Sequence, residues 1–160
     1  MMKLYLILLI VLKWRIKMSL TVAQAITRAK DIIAIDLQDA LMVSADKAIA
    51  GHKVQDHSST GHLLRNIRVE ATEEGLRFSF PYYAQYLEWG TGLYGPYKQL
   101  IRPKKSKVLS WVGSDGKRHY ATYTKGMTPA PFIRPVMHQQ FLKIVAGALR
   151  EAFQDVDLTK

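Results

Sequence analysis

The chain has 160 residues, a length that suits one domain with a modest core. Hydrophobic residues make up 48% of the sequence and charged residues 22%, which is the composition of a globular protein and excludes a disordered chain. Cysteine is absent, which excludes a disulfide framework, a thiolate metal site and a thiol nucleophile.

The net charge of +10 is distributed unevenly. Residues 1–17 contain four lysines or arginines and no acidic residue. Residues 97–126 contain eight lysines or arginines against one aspartate, a net charge of +7, and the rest of the chain is nearly neutral. A basic segment of this kind can face DNA, an acidic partner or solvent.

Residues 1–17 form a leader with an apolar run at 4–12 that is too short to span a bilayer as a helix. No small-residue cleavage site follows this run, in contrast to a typical signal peptide. Three interpretations are open: a natural start at Met18, an amphipathic leader that touches a membrane, or a cleaved signal. We expect no stable membrane span and a single domain over residues 18–160.

A long helix is predicted over residues 21–50. Thr21 and Gln24 are spaced as a capping box, and Gly51 suits the C-terminal end. Such a helix would be ~45 Å long, so part of its apolar stripe is expected to contact a neighbouring subunit. The predicted stripe consists of Val22, Ile26, Ala29, Ile33, Leu37, Ala40, Ser44 and Ala48.

An antiparallel hairpin is predicted next, after a polar loop at 52–61. Residues 63–71 and 76–80 alternate between apolar and polar types, and Glu73, Glu74 and Gly75 supply the turn. The apolar face of the first strand is expected to carry Ile67, Val69 and Ala71.

The second half of the chain begins with an aromatic stretch at 82–89 that predicts a short helix, followed by a glycine-rich irregular loop. Residues 108–112 and 119–124 predict two more strands with a turn at 113–116. A last helix is expected to begin near Phe132. Its predicted apolar stripe is Met137, Phe141, Ile144, Val145, Ala148, Leu149 and Ala152. These elements predict an α+β fold, with an antiparallel sheet flanked by a long N-terminal helix and a C-terminal helix, and a long irregular basic loop.

The sequence offers little catalytic chemistry. His52, His57 and His62 are five residues apart in a loop-like region, a spacing that does not favour a metal site. The glycines around Thr91 are too few for a dinucleotide-binding loop, and Ser114 lacks the strand and helix of a hydrolase elbow. We therefore expect no enzyme activity, no metal and no cofactor.

The basic loop has two interpretations. Its lysines and arginines are interleaved with aromatic residues, a pattern found where proteins bind single-stranded nucleic acid by stacking. The alternative is that Trp111 belongs to the core and the basic side chains are simply solvated. The basic residues at issue are Lys98, Arg102, Lys104, Lys105 and Lys107.

Four stretches resemble the tail-completion or neck family of lambdoid and related siphophages. YAQYLEWGTG at 83–92 carries the first likeness, and TGHLLRNI at 60–67 resembles that family's entry to its first strand. IRPK at 101–104, followed by LSW, resembles its basic segment, and PAPFIRP at 129–135 resembles the opening of its last helix. Asn66 departs from the family's usual serine, and the leader has no counterpart.

The resemblance implies a non-enzymatic virion protein of the neck or tail, assembled in the host bacterial cytoplasm. Such proteins form oligomeric rings, often hexamers, that complete the tail or join it to the head connector. The implied partners are the connector, the tail tube or terminator proteins and, through the basic loop, DNA in the channel or an acidic neighbouring ring. A minor tail protein and a stand-alone nucleic-acid-binding module are the alternatives.

Large aromatic residues and arginine dominate subunit interfaces, which suggests where copies of this chain meet. We place Tyr86, Trp89 and Arg134 at a subunit junction, with Glu88 as a partner of Arg134. Gly90, Thr91 and Gly92 would hold the aromatic run in place, because glycine permits positive φ and close backbone approach. The alternative is that Trp89 is an ordinary core residue.

Overall fold

A computed structural model describes residues 20–51, 61–113 and 115–156. The predictions for residues 1–17, Met18, His52, His57 and Ser114 lie outside these ranges. The helices are α1 (Val22–Gly51), α2 (His62–Arg65), α3 (Ala84–Trp89), α4 (Ile133–Gln139) and α5 (Phe141–Phe153), with a 3-10 turn at Gly92–Tyr94. The strands are β1 (Arg68–Ala71), β2 (Leu76–Ser79), β3 (Leu109–Val112) and β4 (Arg118–Ala121).

The long N-terminal helix begins as predicted. The backbone N–H of Thr21 donates to Gln24 Oε1 over 2.9 Å, and the N–H of Gln24 donates to Thr21 Oγ1 over 3.3 Å. This reciprocal pair is the predicted capping box, and it satisfies N–H groups that the first turn of a helix cannot satisfy itself.

The buried stripe of α1 differs from the predicted one, because all of its buried residues except Ala34 recur every four residues. Val22 and Ile26, predicted to be in the stripe, are about half exposed. Since residues four apart drift by about 40° around a helix, the stripe winds round α1 and reaches several partners in turn. Those partners are α5, β1, α4 and α2. The stripe consists of Ala25, Ala29, Ile33, Leu37, Leu41 and Ala45.

The first hairpin pairs β1 with β2 in antiparallel register, with Val69 opposite Phe78. The predicted strand beginning at residue 63 is wrong in its first part, because α2 occupies residues 62–65. Leu63 and Ile67 are both buried, and their four-residue spacing is helical. The Asn66 side chain donates to the His62 carbonyl over 2.7 Å and holds this turn closed.

Two side chains of α1 fix the hairpin to the helix. Gln38 Oε1 accepts the backbone N–H of Val69 over 3.1 Å. Lys30 Nζ donates to the carbonyls of Thr72 and Glu73 over 2.9 and 3.2 Å. The edge of β1 and the hairpin turn therefore both face α1, and the apolar side of the hairpin covers the core.

The C-terminal helix is divided at Gln140, where one continuous helix was predicted. The N–H of Gln140 still bonds to Val136 and its carbonyl still accepts from Ile144, so only its φ of −115° departs from helical geometry. Ala148 and Ala152 are buried as predicted, and the prediction missed Val136, which is fully buried. Leu149, predicted to be in the stripe, is 43% exposed.

The second hairpin pairs β3 with β4 and is separate from the first, so the predicted sheet is two small antiparallel sheets. The predicted α+β class is confirmed. Of the residues described between 96 and 129, none is buried, so this hairpin lies outside the core. Among the helices in the described ranges, none combines the length and apolar character that crossing a membrane requires.

Candidate functional site

Two distant segments run side by side next to α3. The N–H of Ala130 donates to the Leu87 carbonyl over 2.7 Å, and the N–H of Leu93 donates to the Lys125 carbonyl over 2.8 Å. The N–H of Thr91 donates to the Met127 carbonyl, and the N–H of Met127 donates to Thr91 Oγ1, each over 2.9 Å. The segment that follows α3 is therefore fixed to the segment that leads into α4.

Glycine permits this close approach at Gly90, Gly92 and Gly126, and the contact is tightest at the last two. Gly92 has a φ of 63° and Gly126 a φ of 86°, a region that other residues rarely adopt. A side chain on Gly92 would collide with the Lys125 carbonyl, and one on Gly126 with the Thr91 carbonyl. The sequence predicted a structural role for Gly92 but missed Gly126. Nothing in the sequence around Gly126 reveals the distant segment that it faces.

Glu88 is almost fully buried and caps α4. Its carboxylate accepts the backbone N–H groups of Phe132, Ile133 and Arg134 over 2.8, 2.9 and 3.1 Å. The first N–H groups of a helix have no partner within it, and their positive end attracts a carboxylate. The sequence did not predict this cap, because it joins residues more than forty positions apart.

The predicted pairing of Glu88 with Arg134 is present within one chain. Arg134 Nε donates to Glu88 Oε1 over 2.8 Å, and Arg134 Nη2 donates to the Glu88 carbonyl over 2.7 Å. Burial alone would raise the pKa of Glu88. The hydrogen bonds from Ile133, the Arg134 side chain, Phe132 and the Arg134 backbone outweigh burial, so the pKa lies below its ordinary value. Glu88 is therefore a carboxylate at neutral pH.

The Arg134 guanidinium also lies over the ring of Trp89, 4.6 Å from its centroid. Trp89 is 53% exposed, which argues against the alternative that it is an ordinary core residue. Tyr86 is 46% exposed and Tyr82 is 81% exposed. We call Tyr82, Tyr86, Trp89 and Arg134 the aromatic surface. Within it, Arg134 and Trp89 are held in place, because the buried Glu88 binds Arg134 and the Arg134 guanidinium lies over the Trp89 ring.

A second polar contact lies beside the aromatic surface. His62 Nδ1 and the Tyr83 hydroxyl are 2.9 Å apart, which assigns the predicted loop histidine a specific neighbour. Burial, reinforced by the nearby Tyr82, raises the pKa of Tyr83, so its hydroxyl stays protonated at neutral pH. Within the described ranges, no three histidine or carboxylate side chains converge as metal ligands would.

Residues 97–126, the basic arm, connect the two paired segments and end in the second of them, at Lys125 and Gly126. Ile101 and Thr124 exchange two backbone hydrogen bonds of 2.9 Å near the arm's base, and the Arg102 guanidinium lies 5.7 Å from the Tyr123 ring centroid. Lys98 adopts a φ of 50°. All the lysines and arginines of the arm are exposed, and they are Lys98, Arg102, Lys104, Lys105, Lys107, Lys117, Arg118 and Lys125.

The tip of the arm is ordered by contacts of its own. Trp111 stacks on His119 with ring centroids 5.8 Å apart and is 45% exposed, so the alternative that Trp111 belongs to the core is wrong. His119 and the N–H of Lys117 bond to Asp115, each over 3.0 Å, and hold the pKa of that carboxyl below its ordinary value. Asp115, the one acidic residue in the sequence of the arm, therefore forms its hydrogen bonds within the hairpin turn.

No protein-family model, curated protein or solved structure matches this chain.

Proposed function

We propose that this chain is a structural virion protein that completes a phage tail, or joins it to the head connector, as an oligomeric ring. The motif likeness at 60–67, 83–92, 101–104 and 129–135 supplies the class of protein. Residues 83–92 contain Tyr86, Trp89 and the capping Glu88, and residues 129–135 contain Arg134 and the start of α4 that Glu88 caps. Residues 101–104 lie at the base of the basic arm.

The observation that carries the proposal is the exposed aromatic surface, in which Glu88 holds Arg134 against Trp89. A half-exposed tryptophan held by an arginine, which is itself held by a buried carboxylate, is already ordered before any partner arrives. Preordered aromatic and arginine side chains bind at low entropic cost, and they are the residues that contribute most to interface affinity. This supports the placement of Tyr86, Trp89 and Arg134 at a subunit junction.

The basic arm supports a second candidate function, a stand-alone nucleic-acid-binding module. Its exposed lysines and arginines lie among the exposed rings of Trp111, Tyr120 and Tyr123. Phosphate contacts by such residues would make binding weaken steeply with added salt, and the rings could stack on bases. A monomer that retards single-stranded DNA in a salt-dependent manner would favour this candidate over the ring.

Native mass spectrometry and sedimentation test the proposal directly. We expect the purified chain to form a closed oligomer, and Trp89→Ala to raise its apparent dissociation constant at least about tenfold, as truncating an interface hot spot does. Loss of the Arg134–Trp89 contact should cost the monomer only about 1 kcal/mol.

The matched control is Leu142→Ala, because Leu142 is 79% exposed on α5, outside the aromatic surface. It should leave both assembly and folding unchanged. A wild-type chain that stays monomeric across the concentration range would contradict the ring. A Trp89→Ala chain that unfolds as a monomer would contradict the interface role of the tryptophan.

A further inference from the structure

The outer side of α1 carries an unusual mixture of acidic and apolar residues. Asp31, Ile35, Asp39 and Val43 are four residues apart, and Asp46 follows three residues later, so they share one side of the helix. All five are exposed, Ile35 by 61% and Val43 by 55%. We call these five residues the acidic ridge, which extends about 22 Å along the helix axis.

Within the described residues, no ion pair compensates the acidic ridge. Residues 31–46 contain four aspartates, the fourth being Asp36, and no lysine, arginine or histidine. In the described part of the chain, the ion pairs formed by α1 involve Arg28, with Glu151 and Asp155, rather than these aspartates. Exposed isoleucine and valine among unpaired carboxylates are the combination expected where a basic, partly apolar partner docks.

The basic arm has the complementary chemistry. It carries a net charge of +7 with its basic side chains exposed, and it also exposes Trp111 by 45%, Val112 by 55% and Tyr120 by 64%. A lone two-stranded hairpin is marginally stable in water, so the arm would gain order by packing against another element. DNA could neutralise the arm, but it would leave the acidic ridge unpaired, whereas docking of arm on ridge satisfies both surfaces.

We propose that the basic arm of one copy docks on the acidic ridge of α1 in the next copy of this chain. This rests on the proposed oligomeric function and names the contact that builds it. Because arm and ridge are different surfaces of the same chain, the contact is head-to-tail, and repeated head-to-tail contacts generate closed rings when the rotation between copies closes. Opposite charges steer the encounter and fix the register.

Charge reversal in two separate variants gives the decisive test. The arm variant carries Lys104→Glu, Lys105→Glu and Lys107→Glu, and the ridge variant carries Asp31→Lys, Asp39→Lys and Asp46→Lys. Each variant alone brings like charges together, so its apparent dissociation constant should rise at least about tenfold. An equal mixture of the two should assemble again, because each reversed surface then meets its opposite on the other variant.

The matched control carries Glu73→Lys and Glu74→Lys, which reverse two exposed acids that do not belong to the acidic ridge, in the turn between β1 and β2. It should assemble as the wild type does. Circular dichroism on each monomer checks that the exposed substitutions leave the fold intact. Carbodiimide cross-linking of the wild type provides a second measurement, and mixing labelled with unlabelled chains should place arm-lysine to ridge-aspartate links between copies.

The outcomes separate the two proposals. If the wild type assembles and reversal of the ridge has no effect, or the links fall only within one chain, the docking inference is overturned and the ring stands. If the arm variant loses a DNA shift while the ridge variant assembles normally, the arm's partner is nucleic acid and the docking inference is again overturned. If the wild type is a strict monomer, both proposals fail.

Discussion

Glu88 stabilises a helix to which it does not belong. Phe132, at the N-terminal cap of α4, offers no side-chain hydrogen bond to the helix, and the Glu88 carboxylate takes its place. One buried anion therefore satisfies three backbone N–H groups and the Arg134 side chain together. Charge-assisted hydrogen bonds of this kind are roughly twice as strong as neutral ones, which makes this residue a sensitive point of the fold.

We expect Glu88→Gln to lower the free energy of unfolding by about 2–3 kcal/mol at neutral pH, because an NH2 group, which cannot accept from the helix N–H groups, replaces one carboxylate oxygen. Denaturant titration of the monomer measures the loss. The control is Glu74→Gln, an exposed residue of the first hairpin turn, which should change stability by less than about 0.5 kcal/mol. An equal loss in both variants would show that the cap contributes little.

The lowered pKa of Glu88 also predicts a pH dependence. In the unfolded chain the carboxyl titrates near its ordinary pKa of about 4.3, and in the folded chain it stays ionised to lower pH. Its stabilisation is therefore complete above about pH 5 and is lost as pH falls through the folded pKa. Glu88→Gln should flatten this acid branch, as measured by thermal midpoints between pH 6 and 2. Identical acid branches in both chains would rule out this contribution.

Gly126 is a second residue at which one substitution should destabilise the fold, because the position has no room for a Cβ atom. Gly126→Ala would place a methyl group against the Thr91 carbonyl at a φ of 86°, so we expect a loss of about 2–4 kcal/mol. Gly147→Ala is the matched control, because Gly147 lies inside α5 with open space around its Cβ position. That change should raise stability by about 0.5–1 kcal/mol. Similar effects at both glycines would contradict the close packing of the two segments.

Among the helices, strands and turns, the sequence predicted those features that depend on interactions between residues close together in the chain. The capping box of Thr21 and Gln24, the turn before Gly75 and both hairpins depend on residues a few positions apart, and all were predicted. The short helix Ala84–Trp89 and the α+β class were predicted as well.

The structural features that the sequence analysis missed depend on contacts between residues that are far apart in the chain. The buried stripe of α1 follows its several partners rather than an ideal helical repeat, so Val22 and Ile26 were assigned to the wrong side. The start of β1 was placed too early because Leu63 and Ile67, the buried apolar residues there, are spaced as one helical turn and not as a strand. In the candidate site, the pairing of Glu88 with Arg134 was predicted, but the cap on α4 and the role of Gly126 need distant backbone that no local pattern reveals.

The start of α1 provides a test at this scale. We expect Thr21→Ala to lower stability by about 1 kcal/mol, because it removes the acceptor for the Gln24 N–H. Thr27→Ala is the matched control, since Thr27 lies inside the helix and bonds only back to the Ala23 carbonyl in its own turn. That change should be neutral or slightly stabilising, because alanine has the higher helix propensity. Thermal melts that rank the two variants in the reverse order would contradict the capping role.

The described residues divide into a buried core, which stabilises the fold, and exposed surfaces that take no part in the core. The core joins α1, the first hairpin, α4 and α5 around Leu37, Leu41, Ile67, Phe132 and Val136, the largest fully buried side chains among the described residues. The aromatic surface, the acidic ridge and the basic arm lie outside it. Contiguous exposed apolar side chains mark interaction surfaces, which is the role proposed for the aromatic surface and the arm.

This division makes a prediction about the molecule as a whole. Replacing Trp111 and Tyr120 by serine removes two large side chains, yet none of the residues described in the arm is buried. The free energy of unfolding of the monomer should therefore change by less than about 0.5 kcal/mol, although the hairpin tip itself loses the stack on His119. Assembly should weaken, because the same side chains lie on the surface proposed to dock on the next copy.

Phe132→Ala provides the comparison, because Phe132 is fully buried beside Phe80 and lies next to the cap formed by Glu88. It should lower the free energy of unfolding by about 3–5 kcal/mol through lost burial and a cavity. Denaturant titration of both variants under monomeric conditions, followed by native mass spectrometry at high concentration, separates folding from assembly. If the double arm variant unfolds as easily as Phe132→Ala, the arm belongs to the folding core. If it both folds and assembles normally, the arm's aromatic residues have no part in oligomer formation.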